Sequence, residues 1–302
     1  MRQYLSIGLF ALLVLSLAGS CGSRDTKPQL PGNLDTLCMP DYASGFEMYR
    51  YDSSTLLRIV NPWQGADSVS QWVFLSRDDE KPPKGFDGET INVPARRIVC
   101  MSSSYVAFLE ALGADSTICA ISGTGYIWSD KVRSRIAKEE IAEAGFDNSL
   151  NFEKLVALKP DVVFLYGLAG ENAVTDKLHE LGLKTVYIGD YVENNPLGRA
   201  EWITVFGEFT GRRELARTLF DSISNEYNRA KALVSGVEKR PEVMLNAPWQ
   251  DSWFVPGDRS YMVRLLEDAG GNYACRGVDS DQSRPISTET AFVTASQSDF
   301  WL

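Results

Sequence analysis

The sequence predicts an α/β protein: two lobes of parallel sheet flanked by helices, bridged by one long helix and preceded by an antiparallel β meander. Three observations carry that expectation. Between residues 97 and 188, short apolar runs alternate with helical stretches, the pattern of strand–helix–strand units with helices on both faces of a parallel sheet. Residues 212–235 then place Leu215, Leu219, Ile223, Tyr227, Ala230 and Val234 at helical spacing, enough for a helix of about 36 Å at 1.5 Å per residue. After Pro241 the strand–helix alternation resumes.

The elements follow in order. Residues 1–20 read as an export signal: Arg2 supplies a positive start, residues 5–17 are mostly apolar, and Ala18, Gly19 and Ser20 lead to Cys21. A run this short with a polar sequel is a leader, not a membrane-spanning helix. The polar stretch that follows, with Pro28 and Pro31, reads as a tether, so 21–40 is expected to be a linker. Residues 41–90 hold the meander: Phe-Glu-Met-Tyr-Arg-Tyr from Phe46, Leu-Leu-Arg-Ile-Val from Leu56 and Gln-Trp-Val-Phe-Leu from Gln71, separated by turn clusters at Asp52 and Asn61. A loop rich in Pro and Lys covers 78–88.

The first lobe, 91–211, is expected to contain strands at 97–101, 117–121, 161–166 and 185–188. Helices are expected at 105–112, 152–158, 171–181 and 202–209, stopped by Gly113, Pro160, Gly182 and Gly211 respectively. The bridging helix is 212–235. The second lobe, 236–302, is expected to have a strand at 243–246, a hairpin bearing Trp249 and Trp253, helices at 261–269 and 288–295, and a strand at 299–302. Ending on Phe300-Trp301-Leu302, this lobe reads as incomplete.

Composition narrows the function. Thirty Lys and Arg stand against forty Asp and Glu, a net charge of −10 that becomes −11 once the leader removes Arg2. That balance argues against nucleic-acid binding and should hold an anchored body away from anionic lipid. His179 is the one histidine, so multi-histidine metal sites are excluded, and its place between Lys177 and Glu180 reads as a solvated helix face. Enzyme signatures are missing: there is no Gly-x-Ser-x-Gly elbow, and Gly123-Thr124-Gly125 is a turn rather than a phosphate-cradling loop. No cofactor is expected. Of the remaining cysteines, Cys100 and Cys119 lie in apolar runs and read as buried thiols, while the pairing of Cys38 and Cys275 is left open.

Two resemblances sharpen this. Ala-Gly-Ser followed by Cys21 resembles a bacterial lipobox, implying lipidation of Cys21 and a periplasmic protein anchored to a membrane. From Pro94 onward the chain resembles the helical-backbone class of substrate-binding proteins of ABC importers, which capture ferric siderophores, haem and cobalamin. The residues carrying that resemblance are Arg-Ile-Val-Cys-Met-Ser from Arg97 and Leu-Glu-Ala-Leu-Gly from Leu109, then Asn-Phe-Glu-Lys-Leu-Val-Ala-Leu-Lys-Pro-Asp-Val-Val from Asn151. Leu-Gly-Leu-Lys-Thr-Val from Leu181, Gly-Asp-Arg-Ser from Gly257 and Ile-Ser-Thr-Glu from Ile286 complete the set.

The resemblance implies a shallow cleft between rigid lobes and two glutamates that dock on arginines of an inner-membrane permease. By motif position these are Glu153 and Glu289. Both also fall in the first turn of an expected helix, where negative charge is favourable on its own account. Ligands of open parallel sheets sit at the carboxyl ends of strands, which selects Ser103, Ser104, Tyr105, Tyr126, Trp128 and Tyr166. The second lobe adds Trp249, Trp253 and Arg284. An aromatic cleft with few polar groups suits a large flat chelate, with Arg284 available to an anionic one. For haem, Tyr105, Tyr126 or Tyr166 is the expected axial ligand. The expected cargo is therefore an iron complex, a ferric siderophore or haem, with cobalamin as the alternative. Two readings from other classes are an exported hydrolase-like enzyme and a surface adhesion protein using the meander. Deletion of 46–75 separates the last from the receptor reading: a binding-only role for the lobes predicts retained small-ligand affinity.

Overall fold

The computed structural model describes residues 35–146, 149–167, 173–249 and 252–302. The alternation of the meander produces strands β1 (Asp35–Cys38), β2 (Phe46–Tyr51), β3 (Ser54–Val60) and β4 (Ser70–Ser76), paired antiparallel in sequence order. A further strand, β5 (Glu89–Asn92), joins parallel to β4. Because side chains alternate across a strand, one face carries Phe46, Met48, Leu57, Ile59, Val73 and Leu75 into the interior. The other holds Leu56 and Phe74, with Tyr51 and Phe86 edge-on to Phe74.

The first lobe follows as β6 (Ile98–Cys100), α1 (Ser103–Ala111), β7 (Ile118–Ile121), α2 (Asp130–Ala137), β8 (Ala142–Glu143), α3 (Phe152–Leu158), β9 (Val162–Leu165), α4 (Ala173–Glu180) and β10 (Thr185–Tyr187). Its sheet is parallel with order β10-β9-β6-β7-β8. Strands β6, β7, β9 and β10 are buried throughout, as expected where helices cover both faces. Local chemistry sets the helix ends. Ser102 caps α1 by accepting from the Ser104 N–H, Asn151 caps α3 by accepting from Lys154, and Lys159 takes a left-handed conformation just before Pro160.

Next come α5 (Pro196–Glu201), α6 (Ile203–Thr210) and α7 (Arg213–Val234). Helix α6 is buried along its whole length. It meets α7 closely at Gly207, where an added Cβ would lie 2.5 Å from that of Ala216. On α7 only Ala216 and Phe220 are fully buried, so it is an amphipathic strut. The second lobe comprises β11 (Glu242–Met244), β12 (Pro248–Trp249), β13 (Ser252–Val255), α8 (Tyr261–Asp268), β14 (Asn272–Tyr273), β15 (Arg284–Ile286), α9 (Thr288–Gln297) and β16 (Phe300–Trp301). Its strands form a parallel sheet, β14-β11-β16, and an antiparallel one, β12-β13-β15. Val243, Met244, Trp253, Val255 and Tyr273 make its core, while Phe300, Trp301 and Leu302 are exposed.

The meander is built into the first lobe. Its inward face shares one core with Ile98, Tyr105, Phe164, Trp202 and Phe206. Gln71 of β4 donates to the Thr185 carbonyl and accepts from the Tyr187 N–H, both at 2.9 Å, and so occupies the outer edge of β10. Three buried glutamates complete the join. Glu201 accepts from the N–H groups of Asp41, Tyr42 and Ala43. Glu193 accepts from Ser44, Gly45 and the Trp202 indole. Glu208 meets Thr55 and Arg77 from the meander and Arg213 from α7.

Candidate ligand cleft

The carboxyl ends of β6, β7, β9 and β10 open into a cleft of about 280 Å³. The first strand, β6, lies in the middle of the sheet, and the chain runs outward through β7 and β8 before crossing to β9 on the other side. The loops after β6 and β9 therefore diverge, leaving a crevice at that switch.

The loop after β6 contributes Met101, Ser102 and Ser103. The Ser102 and Ser104 hydroxyls lie 3.0 Å apart, and Ser104 also hydrogen-bonds Asp190. After β7 come Ser122 and Tyr126, and after β8 comes Phe146. One carboxylate holds these two loops together. Glu143 accepts from the N–H groups of Gly123, Thr124 and Gly145 and from the Thr124 hydroxyl at 2.7 Å. Burial pushes its carboxyl up, but the hydrogen bonds from Thr124, Gly123 and Gly145 outweigh this and hold it below the usual glutamate value. Gly123 is required at its turn. Its φ is +76°, and a Cβ there would come within 2.9 Å of the Tyr126 ring. Held this way, Tyr126 and Phe146 remain 71% and 47% exposed, apolar surface that the protein itself leaves uncovered.

Tyr166 follows β9, and Asp190 and Tyr191 follow β10. Asp190 is buried, and burial pushes its carboxyl up against the opposing pull of the Ser104 hydroxyl and Arg199. Tyr191 is fixed by donating to the Gly167 carbonyl and accepting from the Gln64 N–H at 3.3 Å. The loop between β3 and β4 thus reaches the cleft. Its Trp63 packs edge-on to Tyr187 and pairs with the backbone of Gly167.

Of the residues expected at the site, Ser103, Tyr105, Tyr126 and Tyr166 line this cleft. Ser104 backs it through Asp190, and Trp128 stands 90% exposed just beyond Tyr126. Tyr105 differs from expectation. It is fully buried and its hydroxyl lies against the Leu165 and Ile188 carbonyls, at 3.2 and 3.1 Å. Burial, reinforced by Asp190, pushes that phenol well up, and the ring packs as the floor of the cleft. Trp253 is likewise core, packed on Trp301 at 5.4 Å, and Arg284 turns its guanidinium onto the Cys275 carbonyl. Neither is among the cleft-lining residues. Trp249 lies in β12, its side chain outside the described residues, as is Cys21.

Glu153 and Glu289 are exposed in the first turns of α3 and α9, behind the caps Asn151 and Ser287. His179 is more tied down than a solvated residue, with Nε2 2.7 Å from the Thr185 hydroxyl and 3.4 Å from Glu89. Cys100, Cys119 and Cys275 are buried free thiols. Asp190, Tyr191, Phe146 and Ser122 were not anticipated. Extending the carboxyl-end rule to the strand at 185–188 reaches Asp190 and Tyr191.

Comparison with known proteins agrees with this architecture. The family model described as "Periplasmic binding protein" matches residues 98–301. An uncharacterized lipoprotein of Methanocaldococcus jannaschii is 27% identical over 336 residues, covering 100% of this chain and 80% of the relative. Among solved structures, the apo periplasmic haem-binding protein of Roseiflexus sp. RS-1 aligns with a TM-score of 0.55 at 18% identity, over 68% of this chain and 75% of that one. The periplasmic haem-binding protein of Vibrio cholerae gives 0.53 at 19% identity, over 66% and 72%. At these identities the structures speak for the fold, and the family match spans more than half the chain. A parallel first lobe, a long bridging helix, a second α/β lobe and a family match through both lobes lead to one conclusion: the chain belongs to the periplasmic binding protein family.

Proposed function

We propose that this protein is the substrate-binding lipoprotein of an ABC importer, anchored through Cys21, that captures an iron complex outside the inner membrane and hands it to the permease. The observation that carries this reading is the open aromatic cleft at the carboxyl edge of the first lobe, where Tyr126 and Phe146 hold exposed rings beside Tyr166 and Tyr191. Rings presented without covering partners favour a broad, flat or greasy chelate such as a ferric siderophore or haem. Two of the similar structures are titled haem-binding proteins, and the similar archaeal chain is named a lipoprotein. A cobalamin cargo is the second reading, favoured by the absence of a basic side chain among the described residues of the cleft.

Handover rests on Glu153 and Glu289. Exposed carboxylates on two lobes can each make planar, bidentate pairs with permease arginines, which fixes orientation as well as affinity. The test is a tryptophan-fluorescence titration of the chain from Gly22 against ferric siderophores, haem and cobalamin, corrected for absorption by the ligand. Saturable submicromolar quenching by one class identifies the cargo, and no response to any of them refutes the receptor reading. Reversing both glutamates to lysine should abolish uptake with cargo affinity unchanged, and undiminished uptake would remove their docking role.

A further inference from the structure

The cleft has one kind of charge. Among the described residues lining it, Asp190 is the charged one, and the remainder are aromatic rings, serine hydroxyls and Met101. Three arginines elsewhere have partners of their own. Arg199 acts on Asp190 electrostatically but lays its guanidinium over the Tyr261 ring at 3.9 Å. In the second lobe, Arg259 pairs with Asp279 at 2.7 Å and Arg284 bonds the Cys275 carbonyl. The chain as a whole carries a net charge of −10, or −11 without the leader's Arg2.

An anion entering here would meet a buried carboxylate and, among the described lining residues, no guanidinium, and desolvating it in that setting is costly. A cation or a hydrogen-bond donor would instead give Asp190 a further partner beside Ser104, in a low-dielectric site where charge-assisted hydrogen bonds are strongest. We infer that the cargo is a chelate of neutral or positive net charge, and that its cationic or hydrogen-bond-donating edge meets Asp190. This rests on the receptor reading above and narrows it, away from carboxylate- and catecholate-rich complexes and toward trihydroxamate-type ferric chelates or corrinoids.

The test compares ferrioxamine B, a cationic ferric trihydroxamate, with ferric enterobactin, a trianionic tricatecholate, by calorimetry on the full chain in detergent. Haem and cyanocobalamin are titrated alongside. The expected result is at least a tenfold preference for the cationic or neutral complexes over the two anionic ones. Asp190→Asn should reduce that preference by about tenfold. Ser103→Lys leaves Asp190 in place and adds a cation at an exposed position on the rim, so it should shift preference toward the anionic complexes even if the first variant folds poorly. Equal or tighter binding of an anionic complex by the native chain overturns the inference and leaves the receptor reading standing. Binding of none of the four overturns both.

Discussion

Asp190 shows at the scale of one residue why a binding site and a stable core make opposite demands. Burial raises its carboxyl above the ordinary value of 3.8 despite Ser104 and Arg199. A raised carboxyl pKa means that the folded chain keeps a proton the unfolded chain has lost. Stability therefore falls as pH rises from the unfolded value through the folded one, and levels off above it. Asp190→Asn removes that dependence while keeping shape and an acceptor oxygen. Its melting temperature should exceed that of the native chain at pH 7, and the advantage should vanish below about pH 4. A variant that melts lower than the native chain at both pH values would show that Asp190 is a net structural asset. The same residue explains what the sequence withheld. Ser103, Tyr126 and Tyr166 could be placed from strand ends alone. The burial of Asp190 arises only when its loop packs against α1, whose Ser104 is distant in the chain.

Among elements, legibility followed the strength of local periodicity. The paired strands β2, β3 and β4, the buried runs of the first lobe and the amphipathic α7 all lie within a few residues of their expected bounds. Elements that escaped notice carry little pattern. Helix α2 buries only Val132, and β14 and β15 are two and three residues long, existing by virtue of their partners β11 and β13. The join between meander and lobe was equally invisible, because Glu193, Glu201 and Glu208 read locally as ordinary helix-region charges. Glu208 is the clearest case: its carboxylate is 1% exposed and bonded by Arg77, Arg213 and Thr55. Glu208→Gln leaves two partly buried guanidinium groups without their counter-charge. The expected cost is about 3 kcal/mol in urea unfolding. A loss below about 0.5 kcal/mol, the size of an exposed pair, would mean that solvent screens this cluster and that apolar packing alone joins the sheet to the lobe.

For the whole molecule, the question is how far the lobes move around the cleft, and the answer lies in what α7 touches beyond its own length. The strut is pinned to the second lobe through Asp268 at the end of α8, which accepts from Tyr227 at 2.9 Å, pairs with Lys231 at 2.8 Å and meets Arg264 at 3.5 Å. Burial and that carboxylate push the Tyr227 phenol well up, so the bond persists across the working pH range. A second tie spans the cleft side, where Arg199 of α5 stacks on Tyr261 of α8. At the other end, close packing at Gly207 and Ala216 fixes α7 to α6. A rod clamped at both ends and cross-tied permits rocking rather than the wide hinge closure of binding proteins with flexible strands between lobes. The radius of gyration by small-angle scattering should stay within experimental error on adding saturating cargo. Asp268→Ala removes three contacts at a side chain only 13% exposed, and should cost about 2 kcal/mol while broadening the scattering-derived size distribution. A contraction of several ångström in the native chain on binding would contradict the clamp. It would also mean that the cleft is an open state whose second wall arrives with the ligand.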